Sequence, residues 1–153
     1  MRKIMLFLLA FALACLLLSG CTGPLVMPDE PVKPEVTLHK EQIPVTSGEY
    51  CWAVTETEGI CGDPPHPDLF YETVKEAMVT AAGGAKLKFR FSPKPETLYL
   101  SLIEPEESPE WTAKQNQYSY TIPGEPGEYI FKLSAVWDER HSAAYYFAVE
   151  VKR

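Results

Sequence analysis

The chain has 153 residues, of which 46% are hydrophobic and 23% are charged, and its 21 acidic residues outnumber its 14 basic ones for a formal net charge of −7 at pH 7. A chain of this length can form one domain that buries about two thirds of its unfolded surface and folds alone. An acidic chain is repelled by phosphate-rich partners. Composition therefore argues against nucleic acid and against direct binding of lipid headgroups.

The N-terminus has the features of a secretory signal peptide. Arg2 and Lys3 form a positive n-region, and residues 4–18 form an apolar run that is too short for a membrane-spanning helix. The next stretch, residues 18–21 (LSGC), resembles the lipobox of bacterial lipoproteins, in which the cysteine is diacylated and becomes the first residue of the mature chain. An ordinary secreted protein cleaved nearby is the alternative. The resemblance implies that Cys21 carries two acyl chains, enough for stable membrane attachment.

The segment after the lipobox is predicted to be a linker. Residues 22–42 contain Pro24, Pro28, Pro31 and Pro34 among charged residues, with few apolar ones. This composition favours an extended, polyproline-like chain and cannot bury a core. At about 3 Å per residue, such a stalk would hold the domain on the order of 50 Å from the bilayer.

Two of the four cysteines remain available to the folded domain. Cys15 leaves with the signal peptide and Cys21 takes the lipid, whereas Cys51 and Cys61 stand ten positions apart. Outside the cytoplasm, such a pair is expected to close a short disulfide loop. A redox pair and half of a metal site are the alternatives, although the spacing is not C-x-x-C and no second Cys/His pair stands at metal-ligand spacing.

From Ile43 onward, alternation of apolar and polar residues between Gly and Pro turns predicts short strands. The clearest half-buried strand covers residues 85–91, where Leu87 and Phe89 alternate with charged residues. Similar patterns predict strands over residues 49–54, 97–103, 118–122, 129–137 and 145–151. The core expected from these strands consists of Trp52, Leu87, Phe89, Leu100, Tyr129, Phe131, Leu133, Trp137, Phe147 and Val149.

Short strands at intervals of about ten residues, with Gly- and Pro-rich turns, predict an all-β sandwich. Residues 126–131 (PGEYIF) resemble the start of the penultimate strand of many immunoglobulin-like domains, where a glycine turn precedes a Tyr whose hydroxyl ties back to the loop. We therefore expect an immunoglobulin-like β-sandwich. The pair of inter-sheet cysteines typical of antibodies is absent, because Cys51 and Cys61 are too close in sequence to join two sheets.

Most of the mature chain resembles a group of small lipoproteins of Gram-positive bacilli. The resemblance covers residues 48–152 and is carried by residues 48–52 (GEYCW), 59–61 (GIC) and 145–151 (YYFAVEV). It implies an immunoglobulin-like lipoprotein and transfers no catalytic or binding residues. It also implies a strand over residues 77–81.

Residues 68–75 carry two competing patterns. Apolar residues recur at helical spacing, with Pro67 suited to a first helical turn and Gly83 to a C-terminal cap. A strand leading to a glycine turn is the alternative. Helix and strand stay equally open for residues 68–75.

A first candidate site is the loop over residues 63–68 (DPPHPD), which places His66 between two carboxylates. Imidazole and carboxylate donors suit several divalent metals. A polar loop of proline-spaced turn residues is the favoured interpretation, so no metal ligand is assigned. His66 remains a residue for possible interaction with a partner.

A second candidate lies between two predicted strands. Residues 104–110 contain four carboxylates, but they lack the ligand periodicity and glycine of a calcium loop, which favours a solvated loop. Trp111 is a possible anchor for a partner, since Trp is enriched at interface hot spots. More often such a Trp packs over the edge of a sandwich.

A catalytic constellation is not evident. The histidines are His39, His66 and His141, no Ser stands in a G-x-S-x-G turn, and no glycine-rich phosphate loop follows a strand. Residues 138–141 are expected to form a solvated hairpin tip. The chain is therefore predicted not to be an enzyme, with no catalytic residue and no cofactor.

These observations combine into one prediction. Residues 1–20 are the signal peptide, residues 21–42 the lipidated cysteine and proline-rich linker, and residues 43–153 the sandwich. The expected function is that of an extracytoplasmic lipoprotein, held at the membrane only by the lipid on Cys21, which binds an unknown envelope protein or component and no nucleic acid. A small-ligand or metal sensor working through residues 63–68 is the alternative, and a hydrolase of envelope polymers is a weaker one.

Overall fold

The computed structural model describes residues 26–63, 67–104 and 118–152. Within these ranges the first regular element begins at Glu35, and regular structure is almost entirely β. The elements are β1 (Glu35–Leu38), β2 (Glu41–Gln42), β3 (Thr46–Ala53), β4 (Gly59–Gly62), α1 (Pro67–Glu76), β5 (Val79–Ala82), β6 (Lys86–Arg90), β7 (Thr97–Glu104), β8 (Ser119–Thr121), β9 (Gly127–Asp138) and β10 (His141–Lys152).

The strands form two sheets that pack face to face, which confirms the predicted all-β sandwich. One sheet has four strands in the order β2-β1-β6-β8, and the other has six, in the order β4-β3-β10-β9-β7 with β5 beside β10. Neighbouring strands are antiparallel except β5 and β10, which are parallel. Because β3 and β5 share one edge of β10 while β9 follows the other, β10 is paired along nearly its whole length.

The core lies between the sheets and contains every residue that strand alternation assigned to it. Phe131 stacks on Phe147 at 5.2 Å between ring centroids, and Phe147 reaches Phe89 of the opposite sheet at 6.3 Å. All ten predicted core side chains are buried: Trp52, Leu87, Phe89, Leu100, Tyr129, Phe131, Leu133, Trp137, Phe147 and Val149. Burial of this apolar surface is the main force that holds the sheets together.

β1 and β2 lie within residues 21–42, which the composition assigned to a linker. β1 pairs with β6 over its whole length, and Val36 and Leu38 are buried. The predicted boundary at residue 42 is therefore wrong. Proline and charge dominate the local composition, whereas the strand that stabilises β1 is β6, far along the chain.

The chain before β1 also packs on the sandwich. The indole Nε1 of Trp52 donates a hydrogen bond to the carbonyl of Pro28 at 2.8 Å, and the hydroxyl of Tyr145 donates to the carbonyl of Val32 at 2.5 Å. Only six residues separate Cys21 from Pro28. An extended chain of that length reaches at most about 25 Å, roughly half the predicted stalk.

The helix–strand ambiguity is resolved by α1 and β5. Residues 67–76 are helical, and the strand predicted over residues 77–81 exists from Val79. Phe70 and Val74 of α1 are buried in a second cluster with Ile130, Ala144, Tyr146 and Ala148. The helix thus covers part of the outer face of the six-stranded sheet.

Candidate functional site

The predicted disulfide is present and joins β3 to β4. Cys51 and Cys61 occupy opposite register positions with their Cα atoms 4.1 Å apart, and both are exposed. Trp52, the next residue, points the other way and is 1% exposed. The disulfide therefore lies on the outer face of the six-stranded sheet, on the side of the strand away from Trp52, as the alternation predicts.

The other predicted site residues, Cys21, His66 and Trp111, lie outside the described residues. The acidic run over residues 105–110 does so as well, and of the loop around His66 the structure describes the side chain of Asp63 alone, which is exposed. Predictions for these positions remain predictions. Within the described ranges, no three His, Cys, Asp or Glu side chains are close enough together to hold a metal ion.

The hairpin between β9 and β10 departs from its predicted role at one residue. Asp138, Glu139 and Arg140 are exposed, but the side chain of His141 is only 12% exposed, and its ring packs against Trp52 at 4.8 Å between centroids. Its Nδ1 lies 2.8 Å from Oδ1 of Asp138. Burial alone would raise the pKa of Asp138, but the Arg140 amide and the His141 imidazole lower it below its usual value. The solvated-tip prediction is thus wrong for His141, whose aromatic ring has a core Trp within reach.

Two indoles organise one end of the sandwich. The rings of Trp52 and Trp137 meet edge to face at 5.2 Å between centroids. The Nε1 of Trp52 donates to the carbonyl of Pro28, and the Nε1 of Trp137 donates to the carbonyl of Pro93 at 2.9 Å. The N-terminal chain and the loop between β6 and β7 are therefore held side by side. We call this end, defined by Pro28, Trp52, Pro93 and Trp137, the entry end.

Four exposed cations line the outer surface of the four-stranded sheet and the loop beside it. Lys86, Lys88 and Arg90 alternate along β6 with buried Leu87 and Phe89 and therefore share the outer face, and Lys94 follows in the loop. We call Lys86, Lys88, Arg90 and Lys94 the cationic face. The residues directly opposite Lys86 and Lys88 on the adjacent strands all carry hydroxyl groups: Thr37, Ser119 and Thr121.

Within the part of the chain that the structure describes, most of this positive charge has no carboxylate partner. Arg90 forms an ion pair with Glu35, with the guanidinium 2.6 Å from the carboxylate. The ammonium groups of Lys86, Lys88 and Lys94 form no ion pair with any carboxylate of the described residues. In a chain with 21 acidic residues, this is a local reversal of charge.

A groove of about 430 Å³ opens at the entry-end half of the cationic face. Lys94 places its ammonium 5.1 Å from the ring centroid of Tyr118, whose hydroxyl donates to the carbonyl of Pro95 at 3.4 Å. The groove is lined by the aromatic residues Phe89, Phe91 and Tyr118 and by the polar residues Glu35, Thr37, Lys88, Arg90 and Lys94. Ammonium, guanidinium and hydroxyl donors beside an aromatic ring suit phosphate or carboxylate groups.

A second, smaller groove of about 260 Å³ lies beside the disulfide. At its margin Glu49 pairs with Lys132 and accepts a hydrogen bond from the Tyr146 hydroxyl at 3.0 Å. Burial alone would raise the pKa of Glu49, but the hydrogen bond and charge of Lys132 lower it below its usual value. Burial and the neighbouring Glu49 raise the pKa of Tyr146. These groups are engaged with one another and tie β3, β9 and β10 together.

Sequence reasoning identified the alternation of β6 but not the cationic face. The pattern Lys-Leu-Lys-Phe-Arg is visible in the sequence and predicts only a strand with one solvent-exposed face. The pattern does not reveal that the residues opposite Lys86 and Lys88 on the neighbouring strands carry hydroxyl groups and not carboxylates. That fact depends on strand register, which a single sequence does not fix.

None of the helical segments that the structure describes is long and apolar enough to cross a membrane. Comparison of the chain with protein-family models, with curated proteins and with solved structures found no match.

Proposed function

We propose that this protein is an extracytoplasmic lipoprotein, anchored in the cell membrane by acyl chains on Cys21, whose sandwich is a non-catalytic binding module of the cell envelope. The observation that carries the proposal is the exposed disulfide between Cys51 and Cys61. Disulfides persist in oxidising compartments and are rare in the reducing cytosol. The disulfide therefore supports the compartment that the signal peptide and lipobox predict.

The short connection to the sandwich supports the anchoring half of the proposal. Pro28 and Val32, which stand seven and eleven residues after Cys21, are bonded to the domain through Trp52 and Tyr145. A lipid on Cys21 would therefore hold the domain beside the bilayer, tethered at its entry end.

We further propose that the sandwich is immunoglobulin-like. The Tyr129 hydroxyl donates a 2.8 Å hydrogen bond to the carbonyl of Glu125, in the turn before β9. A Tyr tied back to the loop at the start of a strand is typical of immunoglobulin-like domains. Such sandwiches commonly act through loops and exposed surfaces, which supports a binding role by analogy of fold alone.

The anchor is tested by labelling producing cells with palmitate and comparing the native chain with Cys21→Ala. We expect the native chain to incorporate label and fractionate with membranes, and the variant to do neither. The mass of the purified native chain should correspond to cleavage before Cys21 plus a diacylglyceryl group. Equal labelling of both chains would contradict the anchor.

The binding role is tested by crosslinking on intact cells that express either chain. A defined envelope component captured by the anchored chain and lost with Cys21→Ala is the expected result. Capture of nothing above the Cys21→Ala background would count against a binding module while leaving the anchor intact.

A further inference from the structure

We propose that the cationic face docks the domain on the anionic phosphate headgroups of the membrane that holds its anchor. This inference rests on the proposed lipid anchor and specifies what the sandwich meets first. The negative net charge of the whole chain argues against contact with anionic headgroups. The charges are unevenly distributed, however, and the cationic face is expected to be attracted to such headgroups.

Two of the cations of β6, Lys86 and Lys88, are not explained by the needs of the sheet. Charged residues commonly protect exposed sheet edges, but β6 lies between β1 and β8. Lys86, Lys88 and Arg90 are spaced about 7 Å apart along one face and repel one another. Opposite charges on adjacent strands would stabilise the sheet, yet the residues opposite Lys86 and Lys88 are hydroxyls. Among the described residues no carboxylate pairs with Lys86 or Lys88, so this face attracts negative charge from outside the sheet.

The position of the cationic face near the proposed anchor indicates that the membrane is its partner. Arg90 pairs with Glu35 at the start of β1, and Lys94 follows Pro93, which the Trp52–Trp137 pair holds beside Pro28. The groove end of the cationic face is therefore the end at which the chain joins the sandwich. With at most about 25 Å of chain between the lipid and Pro28, the face cannot leave the neighbourhood of the bilayer. An anionic bilayer attracts cations within about one Debye length, and a tether keeps their effective concentration high.

The carboxylates of the entry end decide how the domain lies. Glu56, Glu58 and Glu139 are exposed on the loop after β3 and on the β9–β10 hairpin, and an anionic surface repels them. A domain standing upright on those tips would therefore be disfavoured. The domain instead lies with its four-stranded sheet toward the headgroups, so that Lys88 and Lys94 approach phosphate while the acidic tips point along or away from the surface.

The test uses the full lipidated chain in vesicles of phosphatidylcholine or of an equal mixture of phosphatidylcholine and phosphatidylglycerol. A water-soluble acetylating reagent modifies exposed lysines, and mass spectrometry measures the rate at each position. Lys88 and Lys94 are the reporters. Lys152, which is exposed and belongs to β10 of the six-stranded sheet, serves as the internal control.

We expect acetylation of Lys88 and Lys94 to slow by about fivefold or more in the anionic vesicles, which corresponds to about 1 kcal/mol per cation at the surface. Lys152 should change little. In ~1 M NaCl, where the Debye length falls to about 3 Å, the protection should disappear. Lys94→Glu should abolish most of the protection of Lys88, whereas Lys152→Glu, with the same change of net charge, should leave it intact.

Two outcomes would overturn the proposal. Equal acetylation in both kinds of vesicle would show that the face does not meet anionic headgroups. Protection that is the same in neutral vesicles and grows with the protein-to-lipid ratio would assign the face to a second copy of the chain. Flotation with neutral vesicles tests the anchor separately, so a chain that floats without lysine protection contradicts the docking alone, and a chain that does not float contradicts the anchor.

Discussion

The outer faces of the two sheets differ in what covers them. On the six-stranded sheet, α1 lays Phe70 and Val74 over Tyr146 and Ala148, and the disulfide lies farther along the same face. On the four-stranded sheet, Lys86, Lys88 and Arg90 of β6 are exposed, and the groove lies at one end. One face is therefore part of the fold, whereas the other is available to a partner.

The difference appears in the sequences of the two central strands. Residues 143–149 of β10 (AAYYFAV) are buried without interruption, because the core covers one face and α1 covers part of the other. β6 (KLKFR) alternates, because its outer face meets solvent. Strand patterns thus report how many faces are covered. They do not show which element covers the second face. The pattern of β10 therefore did not resolve whether residues 68–75 form a helix or a strand.

The largest effect is expected from breaking the covered face. Phe70 is 3% exposed and its ring packs edge to face on Tyr146 at 4.8 Å. Phe70→Ala should lower the free energy of unfolding by about 3 kcal/mol or more, since it leaves a cavity under the helix. Urea unfolding followed by circular dichroism would measure it. Leu69→Ala, on the exposed side of the same helix at 69% exposure, is the control and should change little. Equal effects of the two variants would mean that α1 is not packed as described.

Removing the disulfide is expected to have the next largest effect. Replacing Cys51 and Cys61 together by Ala should lower the free energy of unfolding by about 2–3 kcal/mol, because a short loop of the unfolded chain is no longer closed. A reductant should destabilise the native chain by a similar amount, since both cysteines are exposed, and should not affect the double variant. A native unfolding midpoint that does not respond to reductant would argue that the cysteines are unpaired.

The ion pair at the margin of the covered face should give a smaller, pH-dependent effect. The pKa of Glu49 is lower in the folded state than its ordinary value of 4.5. Its contribution to stability is therefore complete above about pH 4.5 and is lost as pH falls through the folded pKa. Glu49→Gln should flatten the fall in stability on acidification below that value. We expect less than about 1 kcal/mol because the pair is partly exposed. Unfolding curves for both chains that stay parallel from neutral to acid pH would refute this role.

The smallest effect is expected on the open face. Lys88→Ala removes an exposed side chain that forms no ion pair with the described residues. The free energy of unfolding should change by no more than about 0.5 kcal/mol. Thermal unfolding of this variant beside Phe70→Ala would compare the two faces directly. A loss of 2 kcal/mol or so would show that Lys88 belongs to the fold and is not available for a partner.

Features that depend on neighbouring residues could be read from the sequence. Alternation located β6, β7, β9 and most of the core, because burial of one face imposes a period of two on a strand. The spacing of Cys51 and Cys61 predicted their disulfide. The resemblance of residues 126–131 to a strand of immunoglobulin-like domains implied a hydroxyl hydrogen bond from Tyr129 to the preceding loop, and Tyr129 donates one to Glu125.

Features that depend on residues far apart in the chain could not be predicted from the sequence. Residues 28–42 looked like a linker, yet Pro28 is held by Trp52 and β1 is stabilised by β6. His141 looked solvated, yet its ring packs on Trp52. In each case the interaction that decides the structure joins segments that are far apart in the chain. A local sequence pattern does not indicate which distant residue a segment will contact.

The sequence by itself determined the fold class, most of the longer strands, much of the core and the disulfide, because each follows from short-range periodicity or spacing. Tertiary structure alone decided that Pro28 is held against the sandwich, that residues 67–76 form a helix over β10, and that Lys86 and Lys88 of β6 face hydroxyls in place of carboxylates. The physical reason is that strand register and sheet order are set by packing across the whole domain. Those long-range choices determine which surfaces are covered and which remain open.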